Sequence, residues 1–374
     1  MRVEILTLQF KKALSICERI TRKTTTLPAL QNVLIEAKGN FLELTTTNLE
    51  TTIKWWVLAK VEKAGELAVP ATFLSNLISL IETEKITLST DNDNLIINAP
   101  EQENQIQTQD IEDFPIIPKI EKNKTFILPA KQLLDSLAQV IDIPSISQIR
   151  PEISGVYFSF KSNQLKIAAT DSFRLGEKTI KLEKPTQEEA SFILPQGTAR
   201  ELLNALSLLE EREVVICPSK NQILFEFQNE NKQPKIQILS RLIEGRYPDY
   251  QAIIPKTHQA VIRIPKEKLE NQIKKAGLFS GKVLEVKLST LPKESKLKVF
   301  AQSQGTGRNQ SFTSADIKGE AIEASFNHKF LTDGLNKIRS SEVLFQLSSS
   351  DGPGVLRPVG DDTYFYILMP IKAT

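Results

Sequence analysis

The chain has 374 residues, with 47 Lys and Arg against 45 Asp and Glu, 40% hydrophobic residues, two His and two Cys. At roughly 150 residues per domain, that length predicts two or three domains, and the apolar content excludes a disordered chain. A net charge of +2 means that any nucleic-acid binding must rest on positive charge gathered on one face. Cys17 and Cys217 both lie in apolar stretches; two thiols build no disulfide framework and fit a reducing compartment. The opening MRVEILTLQFKKAL lacks the order of a secretory signal, and no apolar run approaches the roughly 18 residues that cross a bilayer. A cytoplasmic protein with no membrane partner is expected. His258 and His328 stand 70 residues apart, and the chain has no H-E-x-x-H, paired C-x-x-C or phosphate-loop motif. No metal site, no cofactor and no catalytic residue is therefore expected.

In chain order, the first helical pattern is Phe10, Ala13, Leu14, Cys17 and Ile20, all on one face. Alternating runs follow at 33–35 and 41–50, then a helix at 69–81 and the paired runs ITLST and LIINA. The order returns with a helix at Leu133, Leu134, Leu137, Val140 and Ile141, runs at 156–158 and 164–173, a helix at 194–209, and VVICP with ILFEF. A third copy has a helix at Leu269, Ile273 and Ala276, runs at 283–286 and 296–303, a helix at 326–338, and VLFQLSS with YFYILMP. Phe10 and Leu133, Val33 and Val156, and Thr47 and Thr170 each stand 123 apart. The repeat predicts three similar helix–strands–helix–strands domains of class α+β, over 1–120, 125–252 and 256–374, with antiparallel sheets on helix pairs. The G-T-G-R at 305–308 reads as a hairpin turn, since no helical pattern follows it.

The polar faces of these helices carry Lys11, Lys12, Ser15 and Arg19, running on to Arg22 and Lys23. Arg200 marks the middle repeat, and Lys266, Lys268, Lys274 and Lys275 the third. If the helices share one side, such a surface attracts phosphates without reading bases; ordinary solvated faces would look the same. The terminal run YFYILMPIKAT is unusually apolar for a chain end. A groove for a partner would account for it.

Four segments are more specific: TLPALQNVLIEAKGNFLELTTTNLE (26–50), ATDSFRL (169–175), EGRYPDY (244–250) and YILMPIK (366–372). They resemble the bacterial sliding-clamp family, the beta subunits of DNA polymerase III, in order and spacing over the whole chain. The resemblance implies a DNA clamp fold in a head-to-tail homodimer, a closed ring of six domains with helices on the inner face and sheets on the outer. Such a ring encircles double-stranded DNA without sequence preference, and it confers processivity on the replicative polymerase without chemistry of its own. The DNA-facing residues would be Lys11, Lys12, Arg19, Arg22, Lys23, Arg200, Lys268 and Lys275.

The resemblance also implies that the polymerase, a clamp loader and repair proteins insert short apolar peptides into a pocket between the second and third domains. Matched position by position, its walls are Ile153, Thr170, Ser172, Arg174, Leu175 and Pro248. Asn327, Phe330, Ile367, Leu368, Met369, Pro370 and Ile371 complete them. The edge QENQIQTQ (102–109) with Ile106, facing Leu278 and Phe279 of a second copy, would form the dimer interface. Two departures stand out: Phe173 where many relatives have His, and Asn104 where an apolar residue is usual. The competing reading is a non-enzymatic repeat scaffold that binds only proteins. A hydrolase built on Asp171 and Arg174 lacks a nucleophile and base; Asp171 reads instead as a turn cap and Arg174 as a partner of backbone carbonyls.

Overall fold

Ile53, Trp55, Val57 and Ala59 are buried on one face of the strand Thr51–Lys63, the two-residue period that makes a half-buried strand. The computed structural model describes residues 1–21, 27–118, 120–147, 149–186, 188–209 and 212–372. These hold six α-helices: α1 (Thr7–Thr21), α2 (Ala71–Ser79), α3 (Ala130–Val140), α4 (Gln196–Leu208), α5 (Lys266–Gly277) and α6 (His328–Asn336). In α1, Phe10, Ala13, Leu14, Cys17 and Ile20 are all buried, as their spacing predicts.

Four helices begin directly after a strand that ends in proline, at Pro70, Pro129, Pro195 and Pro265. Proline's fixed φ suits the junction, and the N–H it lacks would have had no partner within the helix. The sixth helix starts differently: the Asn327 side chain accepts from the Lys329 backbone N–H.

The chain forms two compact units. One is Met1–Leu134 with Leu194–Ile243 and contains a 12-stranded antiparallel sheet. Thr51–Lys63 is its spine, paired along its length with Arg2–Leu6, Phe41–Thr47 and Pro234–Arg241. The helix α1 packs on α2, α4 and the strand Phe41–Thr47. The other unit is Asp135–Ile193 with Glu244–Thr374 and contains a nine-stranded and a four-stranded sheet. Arg174–Lys181 pairs there with the last strand, Tyr364–Leu368, and α5 packs on α6 and on Gly307–Ser314. The middle repeat is divided: Gly155–Lys161, Gln164–Thr170 and Arg174–Lys181 lie in the second unit, while Glu213–Pro218, Gln222–Gln228 and Pro234–Arg241 lie in the first.

Residues 305–308 do form a hairpin turn, joining Lys296–Ser303 to Gly307–Ser314, with Gly307 at φ +88°. Several strands end a sheet. Gly65–Pro70, Phe126–Pro129 and Ala190–Pro195 each close in proline, and Asp316–Gly319 has only four residues. Glu323–Asn327, of five residues, ends the four-stranded sheet, and its Ser325 carbonyl accepts from the Ile371 N–H. Gln102–Gln107 and Gly307–Ser314, of six and eight residues, also end sheets and carry no proline. No described helix is long and apolar enough to cross a membrane.

Candidate functional site

The turn at 170–174 organises the second unit's site. Thr170 Oγ1 donates to the Arg174 carbonyl at 2.8 Å and accepts from the Ser172 N–H at 3.2 Å. Asp171 Oδ1 accepts from the N–H groups of Phe173 and Arg174 at 3.0 and 2.9 Å. These short polar side chains fold the turn and hold Ser172 at φ +77°. Asp171 is thus the turn cap the sequence suggested.

Arg174 is held on several sides. Its guanidinium donates to Asp171 Oδ2 at 2.9 Å, to Asp333 Oδ2 at 2.5 Å and to the Asp142 carbonyl at 3.3 Å. It also lies 4.5 Å from the centre of the Phe330 ring. With its side chain 12% exposed, it ties the turn to α6. Asp333 has no signal in the sequence, because its partner lies 159 positions away.

The chain end runs alongside. The Met369 N–H donates to the Phe173 carbonyl and the Ile371 N–H to the Ser325 carbonyl, both at 2.8 Å. Ile367 and Leu368 are buried in the strand paired with Leu175 and Arg174, whereas Met369 is 39% exposed. Ile153 is buried below, and Arg150 reaches from its short helical turn to Ser172 Oγ at 3.4 Å. Pro248 follows Tyr247, whose ring stacks on Tyr157 at 4.6 Å, and Tyr250 donates to the buried Glu177 carboxylate at 2.6 Å. Burial, with the Glu177 charge beside it, pushes the Tyr250 hydroxyl far above its ordinary pKa.

The residues matched to the pocket walls therefore share one unit. Leu175, Ile367 and Leu368 are buried there, and Ser172, Phe173 and Met369 are exposed. Phe173 is 62% exposed and stacks loosely on Phe330 at 6.5 Å.

The basic candidates are not equally available. Lys11 donates to the Ser79 carbonyl at the end of α2, and Arg19 pairs with the buried Glu201 of α4 at 2.7 Å. Both brace helix contacts within the first unit. Arg200, Lys268 and Lys275 are exposed and Lys12 half-buried. Arg22 and Lys23 lie outside the described residues.

On the edge strand Gln102–Gln107, Ile106 is 5% exposed and faces inward, leaving Glu103, Gln105 and Gln107 outward. Leu278 caps α5 at 74% exposure, with Phe279 half-buried beside it. Phe312, on the strand Gly307–Ser314 against which α5 packs, is also exposed.

Comparison with known proteins agrees with this geometry along the whole chain. Residues 1–118, 128–249 and 251–372 match the N-terminal, central and C-terminal domains of the DNA polymerase III beta subunit. A beta sliding clamp of Staphylococcus aureus is 28% identical over 359 residues, covering 93% of both chains. The DNA polymerase III beta subunit of Thermotoga maritima superimposes with a TM-score of 0.93 at 24% identity, covering 100% of both. The Bartonella birtlesii sliding clamp, solved with griselimycin bound, does so with a TM-score of 0.91 at 26% identity, again covering 100% of both. Three domains of α+β content, six helices and antiparallel sheets make up the three-domain DNA clamp fold. The chain belongs to the DNA polymerase III beta subunit family, the bacterial sliding clamps.

Proposed function

We propose that this chain forms a head-to-tail homodimeric ring that encircles duplex DNA without reading its sequence and keeps the replicative polymerase on its template. It works in the cytoplasm and carries no chemistry of its own; its three domains span about 1–120, 125–252 and 256–374. The observation that carries the reading is the pair of long, proline-free sheet edges, Gln102–Gln107 in one unit and Gly307–Ser314 in the other. An edge of one copy meeting the other edge of a second copy is a heterologous contact, and it closes if the rotation is half a turn. Leu278, Phe279 and Phe312 supply apolar area beside that seam. The first edge is polar, so backbone pairing carries most of the closure.

Sliding needs many interchangeable phosphate contacts. Lys12, Arg200, Lys268 and Lys275 fit that role, with Lys11 and Arg19 also holding helices in place. The polymerase, a clamp loader and repair proteins dock by short apolar peptides on the floor of Leu175, Ile367 and Leu368 between Phe173 and Met369. A relative solved with griselimycin bound supports a ligand-accepting surface in this fold.

The decisive experiment compares retention on nicked circular DNA with retention on the same DNA after linearisation. Encirclement predicts stable retention on the circle and rapid loss from the ends. Equal loss from both would favour a scaffold that binds only proteins. Light scattering should give the mass of two chains.

A further inference from the structure

The turn that organises the peptide site has a twin in the first unit. Thr47 Oγ1 donates to the Thr51 carbonyl at 3.2 Å and accepts from the Leu49 N–H at 3.1 Å. Asn48 Oδ1 accepts from the N–H groups of Glu50 and Thr51 at 3.1 and 2.7 Å. Leu49 sits at φ +71°, matching Ser172 at +77°. The Arg241 N–H donates to the Glu50 carbonyl at 2.9 Å, as the Met369 N–H does to Phe173 at 2.8 Å. Ser240 pairs with Thr51 in register, as Leu368 does with Arg174.

A pocket opens at this second turn, lined in part by Thr47, Leu49, Thr52, Ile117, Leu239 and Arg241. Its floor is firm, because Ile117 packs with Ile120 against buried Val215, Cys217, Leu224 and Leu239. Ile116, also on the wall, is 96% exposed.

The side chains at the mouth decide what fits. Where the first site presents Phe173 and Met369, the second presents Glu50 and Arg241. A Cβ placed on Gly197, in the first turn of α4, would lie 3.6 Å from Glu50 Oε1. That carboxylate therefore lies by the positive end of a helix dipole. The exposed Arg241 guanidinium is the charge left to meet a ligand, beside aliphatic walls.

We propose that this pocket is a second peptide-docking site, taking a short segment that carries an aliphatic side chain next to a carboxylate. The peptide class rests on the reading of the first site given above; the geometry of the second pocket does not.

The test is methyl NMR on the full chain with labelled Ile and Leu, titrated with N-acetyl-isoleucyl-aspartate amide and with its asparagine analogue. Saturable shifts at Leu49, Ile117 and Leu239 are expected. Affinity should fall about tenfold for the asparagine analogue and for Arg241→Gln, the scale of one lost charge-assisted bond. Ile116→Glu, at an exposed position, should weaken it similarly by repulsion. Silence at these three methyls would overturn the proposal, as would shifts indifferent to both the amide and Arg241→Gln. A response confined to Leu175 and Ile367 would overturn it while leaving the first site standing. A response confined to Leu49, Ile117 and Leu239 would uphold it, and a polymerase-derived apolar peptide, read at Leu175 and Ile367, then tests the first site separately.

Discussion

The turns at 47–51 and 170–174 share their hydrogen bonds almost bond for bond, yet their surroundings differ in kind. In the second unit Arg174 sits in a net of two carboxylates, a carbonyl and the Phe330 ring. In the first unit the matching residue is Thr51, whose hydroxyl meets Thr198 at 2.6 Å, and Thr198 meets Ser240 at 2.8 Å. A threonine followed by Asn or Asp is enough to build the backbone. The fourth and fifth residues are then free to brace one copy with a cation beside an aromatic ring and the other with a chain of hydroxyls.

The strongest test of this contrast is Arg174→Ala. It strips charge partners from Asp171 and Asp333 and should destabilise the second unit by about 3 kcal/mol, read by urea unfolding. Thr51→Val, its counterpart, loses only hydroxyl bonds and should cost about 1 kcal/mol. Equal costs would erase the distinction. Next in size is Met369→Ala at the rim, which should weaken binding of a polymerase-derived peptide by tenfold or more while leaving the melting temperature nearly unchanged. Unaltered affinity in a titration would move the docking site elsewhere.

The first unit has an ion pair of its own: Lys122, just before the strand Phe126–Pro129, places its ammonium 2.8 Å from both oxygens of Glu226, which also accepts from Gln228 and Gln237. Burial pushes the Glu226 pKa up, but Lys122 and the two amides outweigh it and hold the carboxyl below its usual 4.5. The stability this supplies is whole above pH 4.5 and drains away as acid carries the solution through the lowered folded value. Lys122→Ala should cost about 1–3 kcal/mol at neutral pH and flatten that acid dependence, measured by melting between pH 3 and about 7. A variant that melts like the parent throughout would show the pair to be idle. The smallest effects belong to Leu49→Gly and Ser172→Gly. Relief of positive φ is offset by a looser unfolded chain, so both should fall within about 0.5 kcal/mol of zero, with the same sign.

The repeat was readable because burial imposes period: Phe10, Leu14 and Cys17 reappear as Leu133, Leu137 and Val140, and all six are buried. The turn at 170–174 was readable because Thr and Asp fold it through local bonds. What depends on distant neighbours was not readable. Nothing near Arg19 announces Glu201, and nothing near Arg174 announces Asp333, so two cations given different roles by the sequence both prove to brace a helix. Ile106 shows the same gap: the sequence of an edge strand does not say which face turns inward, and in the fold its side chain is buried.

Proline closes three of the strands that border a sheet. A freshly made chain is thereby protected from adding strangers at those three margins. Growth into fibres would need a bare border at both ends of every added copy, and the head-to-tail pairing proposed above would use up the two that carry no proline and exceed five residues. A pair closed in that way would be a finite assembly with no border left for a third copy.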